Sequence, residues 1–147
     1  MGATDPDRPV VTPAAELLVR LSVTMKSVIA PSTTGTAKPQ AYMAAVVLEK
    51  VAKQMELAPA HAAQQAEDAV ALVRDLRALT AGSALPDATR ASLAALESGC
   101  NEMTLCLLVR VLYSDRPLLG DDLFAALLGR VRVTLRADID RRMEFSA

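Results

Sequence analysis

The sequence predicts an all-α protein, a single-domain antiparallel bundle of five or six helices. Three observations point there. Alanine, leucine and valine recur at three- and four-residue spacing over most of the chain, as amphipathic helices require. Proline, glycine and hydroxyl-rich clusters interrupt that pattern at helix-length intervals. No segment shows the strict alternation or the β-branched and aromatic enrichment of a strand, and aromatics are only 3% of residues. At 147 residues, 52% of them hydrophobic, the chain has the length of one domain with a real core. Much of the apolar content is alanine, the strongest helix former. Residues 1–11 read as a flexible arm and 12–147 as the bundle domain.

The first helix is expected to begin at Thr12-Pro13, with Thr12 as N-cap, Pro13 at the first helical position and Glu16 in the first turn. Leu17, Leu18, Leu21, Met25, Val28 and Ile29 form its apolar stripe, and Pro31 ends it. Residues 32–38 have loop composition. A second helix over Pro39 to Leu57 carries Met43, Val46, Val47, Val51 and Met55 as its packed centre. Pro59 is expected to break the chain and restart it, because an interior proline removes a hydrogen bond and clashes with the preceding turn. The third helix spans Ala60 to Thr80, with Ala66, Ala69, Val70, Val73 and Leu76 on one side. A turn follows at 81–86, and Asp87 caps a fourth segment reaching Tyr113, split or kinked at Gly99. Met103 to Tyr113 is apolar nearly all round, the pattern of the most buried helix. Residues 114–120 read as a connection. Asp121 and Asp122 open a last helix to about Met143, placed where the positive end of its dipole favours acids.

Composition excludes several function classes. A formal net charge of −1 and a pI near 5.8 give no field for nucleic acid. Mean hydropathy is +0.25, yet no apolar run approaches the ~18 residues of a spanning helix, so no membrane association is expected. The acidic, proline-bearing start is no signal peptide, and Pro6 stands where a myristoylation motif needs Ser or Thr. Cys100 and Cys106, six residues apart on one helix, cannot bridge within it, and a reduced cytoplasmic protein is the expectation.

Catalytic equipment is sparse. His61 is the lone histidine, and at a helix start it reads as solvated rather than as a general base. Cys106 reads as an inert packed thiol, and neither cysteine has Cys-x-x-Cys spacing for zinc. No Glu-x-x-His pair supports a di-iron bundle. The Ser32–Thr36 loop lacks the Gly-Lys-Ser/Thr ending of a P-loop and follows a helix instead of a strand. No catalytic residue, metal ligand or cofactor is therefore expected, and the protein reads as a non-enzyme.

Four residues remain as candidates for contact with a ligand or partner: Arg110, Arg130, Asp138 and Arg141. Arg110 interrupts an apolar run, where an arginine must snorkel, pair or meet a ligand, the first two being commoner. In the last helix, Phe124, Leu127, Leu128, Val131, Leu135 and Ile139 make one apolar arc. Arg130 and Arg141 flank one side of it, Arg132 and Arg136 the other. Asp138 falls close to the arc, with Arg142 at ion-pair spacing. A solvated helix with basic residues suiting its C-terminal dipole is the plainer reading. The sharper one is an arginine-lined surface for phosphate, CoA or an acidic partner.

Four stretches carry a resemblance: Pro13–Leu18, Leu48–Leu57, Leu105–Arg110 and Leu135–Arg141. In their order along the chain they resemble a small bacterial family of all-helical proteins. Its members are often encoded beside aminoglycoside-phosphotransferase-like kinases and acyl-CoA dehydrogenases. Asp138 and Arg141 fall where that family tends to carry an Asp and an Arg. The second helix departs from it, lacking an Arg and an Asn near Tyr42 to Val46, and so does the ending Arg141-Arg-Met-Glu-Phe. The resemblance implies a non-catalytic accessory subunit of a kinase acting on hydroxyacyl-CoA, with a dehydrogenase-like enzyme completing the dehydration. The alternatives are a stand-alone acyl-chain or acyl-CoA binding bundle and a self-associating structural protein, since alanine-rich faces pack well.

Overall fold

The computed structural model describes residues 13–144. They form five helical segments with no strand among them, so the chain is all-α. Thr12 and the 1–11 arm lie outside the described residues. The contacts divide at Pro59 into one compact unit up to that residue and another from Ala60 onward.

The first unit is built on α1 (Ala14–Thr24), a π-helical stretch (Met25–Ile29) and a closing turn α2 (Ala30–Ser32), which together make one continuous helical segment. The chain turns at 33–36, where Gly35 takes φ 61°, and returns as α3 (Ala37–Thr80). The buried side chains of the two arms are small and mark the seam between them: Ala15, Ser22 and Ala30 on the first segment, and Ala41, Ala45 and Ala52 on α3. Ala15 to Ser22 is seven residues, an interval that returns an α-helix to within about 20° of its starting face. Ser22 to Ala30 is eight. The π stretch, in which the Ala30 N–H bonds Met25 O, absorbs the extra residue and keeps Ala30 on the seam. Ser22 Oγ donates to Glu49 Oε1 at 2.9 Å, and Lys26 Nζ donates to the same oxygen at 2.6 Å. Those two hydrogen bonds, Lys26 first, hold the Glu49 carboxyl below its ordinary range.

Small residues on the seam correct an expectation. Met43, Val46, Val47, Val51 and Met55 are exposed, not a packed centre, as are Leu17, Leu21, Val28 and Ile29 of the first segment. Close approach of alanine faces turns the larger side chains outward.

Pro59 does not break the chain. α3 passes through it as one helix of 44 residues. An interior proline costs ~3 kcal/mol. The flanking Ala58, Ala60, Ala62 and Ala63 are the strongest helix formers and oppose that cost, and propagation of an existing helix is cheaper than a new nucleus.

The second unit contains the end of α3, α4 (Asp87–Ser98), α5 (Glu102–Leu119) and α6 (Asp121–Glu144). The sequence expectation of a division near Gly99 holds: α4 ends there, and α5 starts behind an Asn101 cap. Asn101 Oδ1 accepts from the Thr104 N–H while Thr104 Oγ accepts from the Asn101 N–H, each at 3.0 Å. Residues 114–119 are helical, so the expected connection shrinks to Gly120. Its φ 80°, ψ 156° belong to a region that is essentially glycine's, and one residue therefore joins α5 to α6. Arg116 lies 4.9 Å over the Phe124 ring, whose edge meets Tyr113 at a centroid distance of 5.2 Å, pinning this turn.

The core gathers Leu72 and Leu76 of α3, Leu96 of α4, Leu108 and Leu112 of α5, and Phe124, Leu127, Leu128 and Val131 of α6. α5 is less buried than its composition implies, since Met103, Leu107 and Tyr113 are exposed. On α3 the buried pair is Leu72 and Leu76, whereas Val70 faces solvent. Partners descend α3 as they ascend α6: Asp75 with Arg130, Asp68 with Arg141, and His61 with Glu144. These two helices run in opposite directions.

Candidate functional site

Core packing stops short at the end of α5 and α6 remote from Gly120. Leu105, Val109 and Leu135 belong to the margin of the core and also form the floor of a cavity of about 540 Å³. Its lining recurs at three- and four-residue spacing, as Glu102, Leu105, Cys106, Val109 and Arg110 of α5 and as Leu135, Asp138, Ile139 and Arg142 of α6. Gln65, Asp68 and Ala69 of α3, Cys100 and Asn101 ahead of α5, and Thr134 of α6 add to the wall. Eight residues separate Glu102 from Arg110, so the cavity runs about 12 Å along α5 at the helical rise of ~1.5 Å per residue. Its volume lies in the roughly 300–1,000 Å³ range of small-molecule pockets.

Three of the four sequence candidates line this cavity: Arg110, Asp138 and Arg141. Arg141 is the most enclosed of them, its side chain 13% exposed. Nη1 donates to Asp68 Oδ2 at 2.6 Å. Nη2 is buried without a hydrogen-bond partner among the described residues and lies 3.9 Å from Asp138 Oδ1. Asp138 is drawn elsewhere, to Arg142 Nη2 at 2.8 Å, the spacing-predicted ion pair, and to Gln65 Nε2 at 3.5 Å. Arg110 is exposed at the rim and makes no hydrogen bond or ion pair with the described residues.

Arg130 lies outside the lining. Its Nε donates to Asp75 Oδ2 at 2.7 Å and its Nη1 to Thr134 Oγ at 2.7 Å, tying α6 to α3. Hydrogen bonds from Arg130, and then Arg74, hold the Asp75 carboxyl below its ordinary range. Arg130 is thus spent on packing.

Two other sequence readings change. His61 sits inside continuous α3 with its ring only 14% exposed, Nε2 lying 2.9 Å from Glu144 Oε2, so it is not a solvated histidine at a helix start. Both cysteines line the cavity: Cys106 is exposed, and Cys100 is half-buried with its thiol pushed up by burial. A helix that is apolar on every side gives no sign of which side is covered. Gln65 and Asp68 were missed because they reach the cavity only through the pairing of α3 with α6.

No cluster of three or more His, Cys, Asp or Glu able to hold a metal exists among the described residues. None of the described helices is long and apolar enough to cross a membrane. Comparison of the chain with family models, curated proteins and solved structures finds no match.

Proposed function

We propose that this is a non-catalytic binding protein whose second unit holds a small amphiphile, an acyl chain ending in a carboxylate or similar anionic acceptor. In this reading α3–α6 form an antiparallel bundle and the cavity is the unfilled end of its core. The observation that carries the proposal is that cavity: an apolar floor of Leu105, Val109 and Leu135 beneath a wall holding a guanidinium nitrogen with no acceptor. Protein interiors are close-packed, so a space of this size on the margin of a core is suited to a guest. A buried donor without a partner costs about 1–3 kcal/mol, and a small shift of the Arg141 guanidinium toward the cavity would bring Nη2 to an anionic oxygen and recover it. Arg110 at the rim supplies a second cation for the same head group.

The resemblance adds a setting in which a cytoplasmic protein of this kind presents or retains an acyl-bearing molecule for a phosphotransferase-like kinase and an acyl-CoA dehydrogenase. The cavity supports the acyl part of that idea, and the kinase is the partner to seek by co-purification. Calorimetric titration of the full chain with decanoate, and with decanol as a control sharing the tail, tests the binding role. Decanoate is expected to bind, decanol to bind at least about tenfold more weakly, and Leu105→Trp, which fills the floor, to abolish binding. If decanoate at millimolar concentration produces neither heat nor thermal stabilisation, the binding role is wrong.

A further inference from the structure

The hairpin of the first unit carries two apolar stripes. Leu17, Leu21, Met25 and Ile29 follow one another at four-residue steps on the first segment, and Met43, Val47, Val51 and Met55 do so on α3. Steps of four advance only about 40° around a helix, so each set forms one ridge. Measured from the seam, with Ala15 and Ser22 on one helix and Ala41, Ala45 and Ala52 on the other, both ridges lie to the same rotational side. An antiparallel pair is related by a two-fold axis normal to its plane, and a rotation preserves that sense. Both stripes therefore share one face of the hairpin. Two ion pairs fall on the other: Arg20 with Glu16 at 2.6 Å, and Lys26 with Glu49 at 2.6 Å.

Seven of the eight stripe residues are 40 to 64% exposed. Together they present roughly 700 Å², above the ~300–600 Å² patch of an ordinary monomer and near the ~800 Å² that each partner contributes to a standard interface. The hairpin cannot bury this face by itself, because its own seam is alanine and serine. A helical layer with one apolar face needs a second layer.

We infer that the second layer is the same hairpin of a second copy of this chain, the two faces joining around a two-fold axis as four helices. Two features favour a copy over any other occupant. The face is built from two matching ridges and is therefore suited to an isologous contact. Its area matches what a stable dimer buries.

Val46 and Val47 are neighbours on opposite faces of α3, which makes a sharp test. Sedimentation equilibrium of the full chain from about 1 to 100 µM should give the mass of two chains. Val47→Glu should weaken the dimer at least about 100-fold, since it places a charge at a desolvated centre, while Val46→Glu should leave it intact. Far-UV circular dichroism would show both variants equally helical. A single-chain mass at 100 µM overturns the inference and leaves the face to be covered from within the chain. Equal weakening by the two variants overturns the assignment of the face. A mass that rises only when a different protein is added gives the face to that protein and overturns the dimer.

Discussion

Asp115 is the residue whose removal should cost the second unit most for the fewest atoms. α4 begins behind Pro86 with no side-chain cap of its own. Its third residue, Thr89, is fully buried, and both its N–H and its hydroxyl donate to Asp115 Oδ2, at 3.1 and 2.6 Å. An acid 26 residues away thus does the work of an N-cap, placing negative charge at the positive end of the α4 dipole. Asp115→Ala strands two buried donors. At about 1–3 kcal/mol for each unsatisfied group, less what entering water restores, the loss should be about 2–3 kcal/mol. With a urea m-value of ~2 kcal/mol/M the midpoint should fall by about 1 M at unchanged slope. Asp115→Asn keeps an acceptor and gives up only the charge, so roughly half that loss is expected. Urea unfolding followed by circular dichroism measures both. A loss below ~0.5 kcal/mol for the alanine variant, the level of an ordinary surface substitution, would refute the remote cap. Asparagine as damaging as alanine would refute the division between hydrogen bond and charge.

Thiol labelling offers a second check: Cys106 should react with a disulfide reagent well before Cys100, whose thiol burial pushes up, and decanoate should slow both, since each lines the cavity. Labelling of both at one rate, or no protection at saturating decanoate, would count against the cavity as described. Acid should loosen the hairpin through Glu49. Its folded pKa lies below the ordinary 4.5 because Lys26 and Ser22 hydrogen-bond to it. Its contribution is therefore present above that ordinary value and is lost as pH falls through the folded one. Glu49→Gln should remove this part of the pH dependence, and helix content that follows the same curve in variant and wild type from about pH 6 to 2 would defeat the idea.

Where sequence reading succeeded, the signal was local. The Gly99 division, the 81–86 turn, the two acids opening α6, and the arc of Phe124, Leu127, Leu128 and Val131 all follow from periodicity and end chemistry. The Asp138–Arg142 pair followed from spacing alone. Where it failed, the deciding force lay outside the segment. Pro59 was given a local penalty that flanking alanines and an already formed helix outweigh. Met43, Val47, Val51 and Met55 have core periodicity, but the alanine seam takes the inside of the hairpin. Arg130 and Arg141 looked alike as arginines flanking one arc. Asp75 and Thr134 take up two nitrogens of the first and tie it to α3 and its own helix, while the second lines a cavity and leaves one buried nitrogen without an acceptor among the described residues.

Residue order alone dictates that the chain is helical, roughly where its helices end, and which residues could carry charge or an apolar face. Those properties live within a few residues of one another, because a helix is stabilised by hydrogen bonds and contacts at three- and four-residue range. Long-range packing settles which apolar face is covered, which arginine is satisfied and where the core leaves space. Periodicity gives a helix an apolar side without saying what meets it, and that is settled by residues far along the chain: Asp68 for Arg141, Asp115 for Thr89, and α3 for the cavity between α5 and α6.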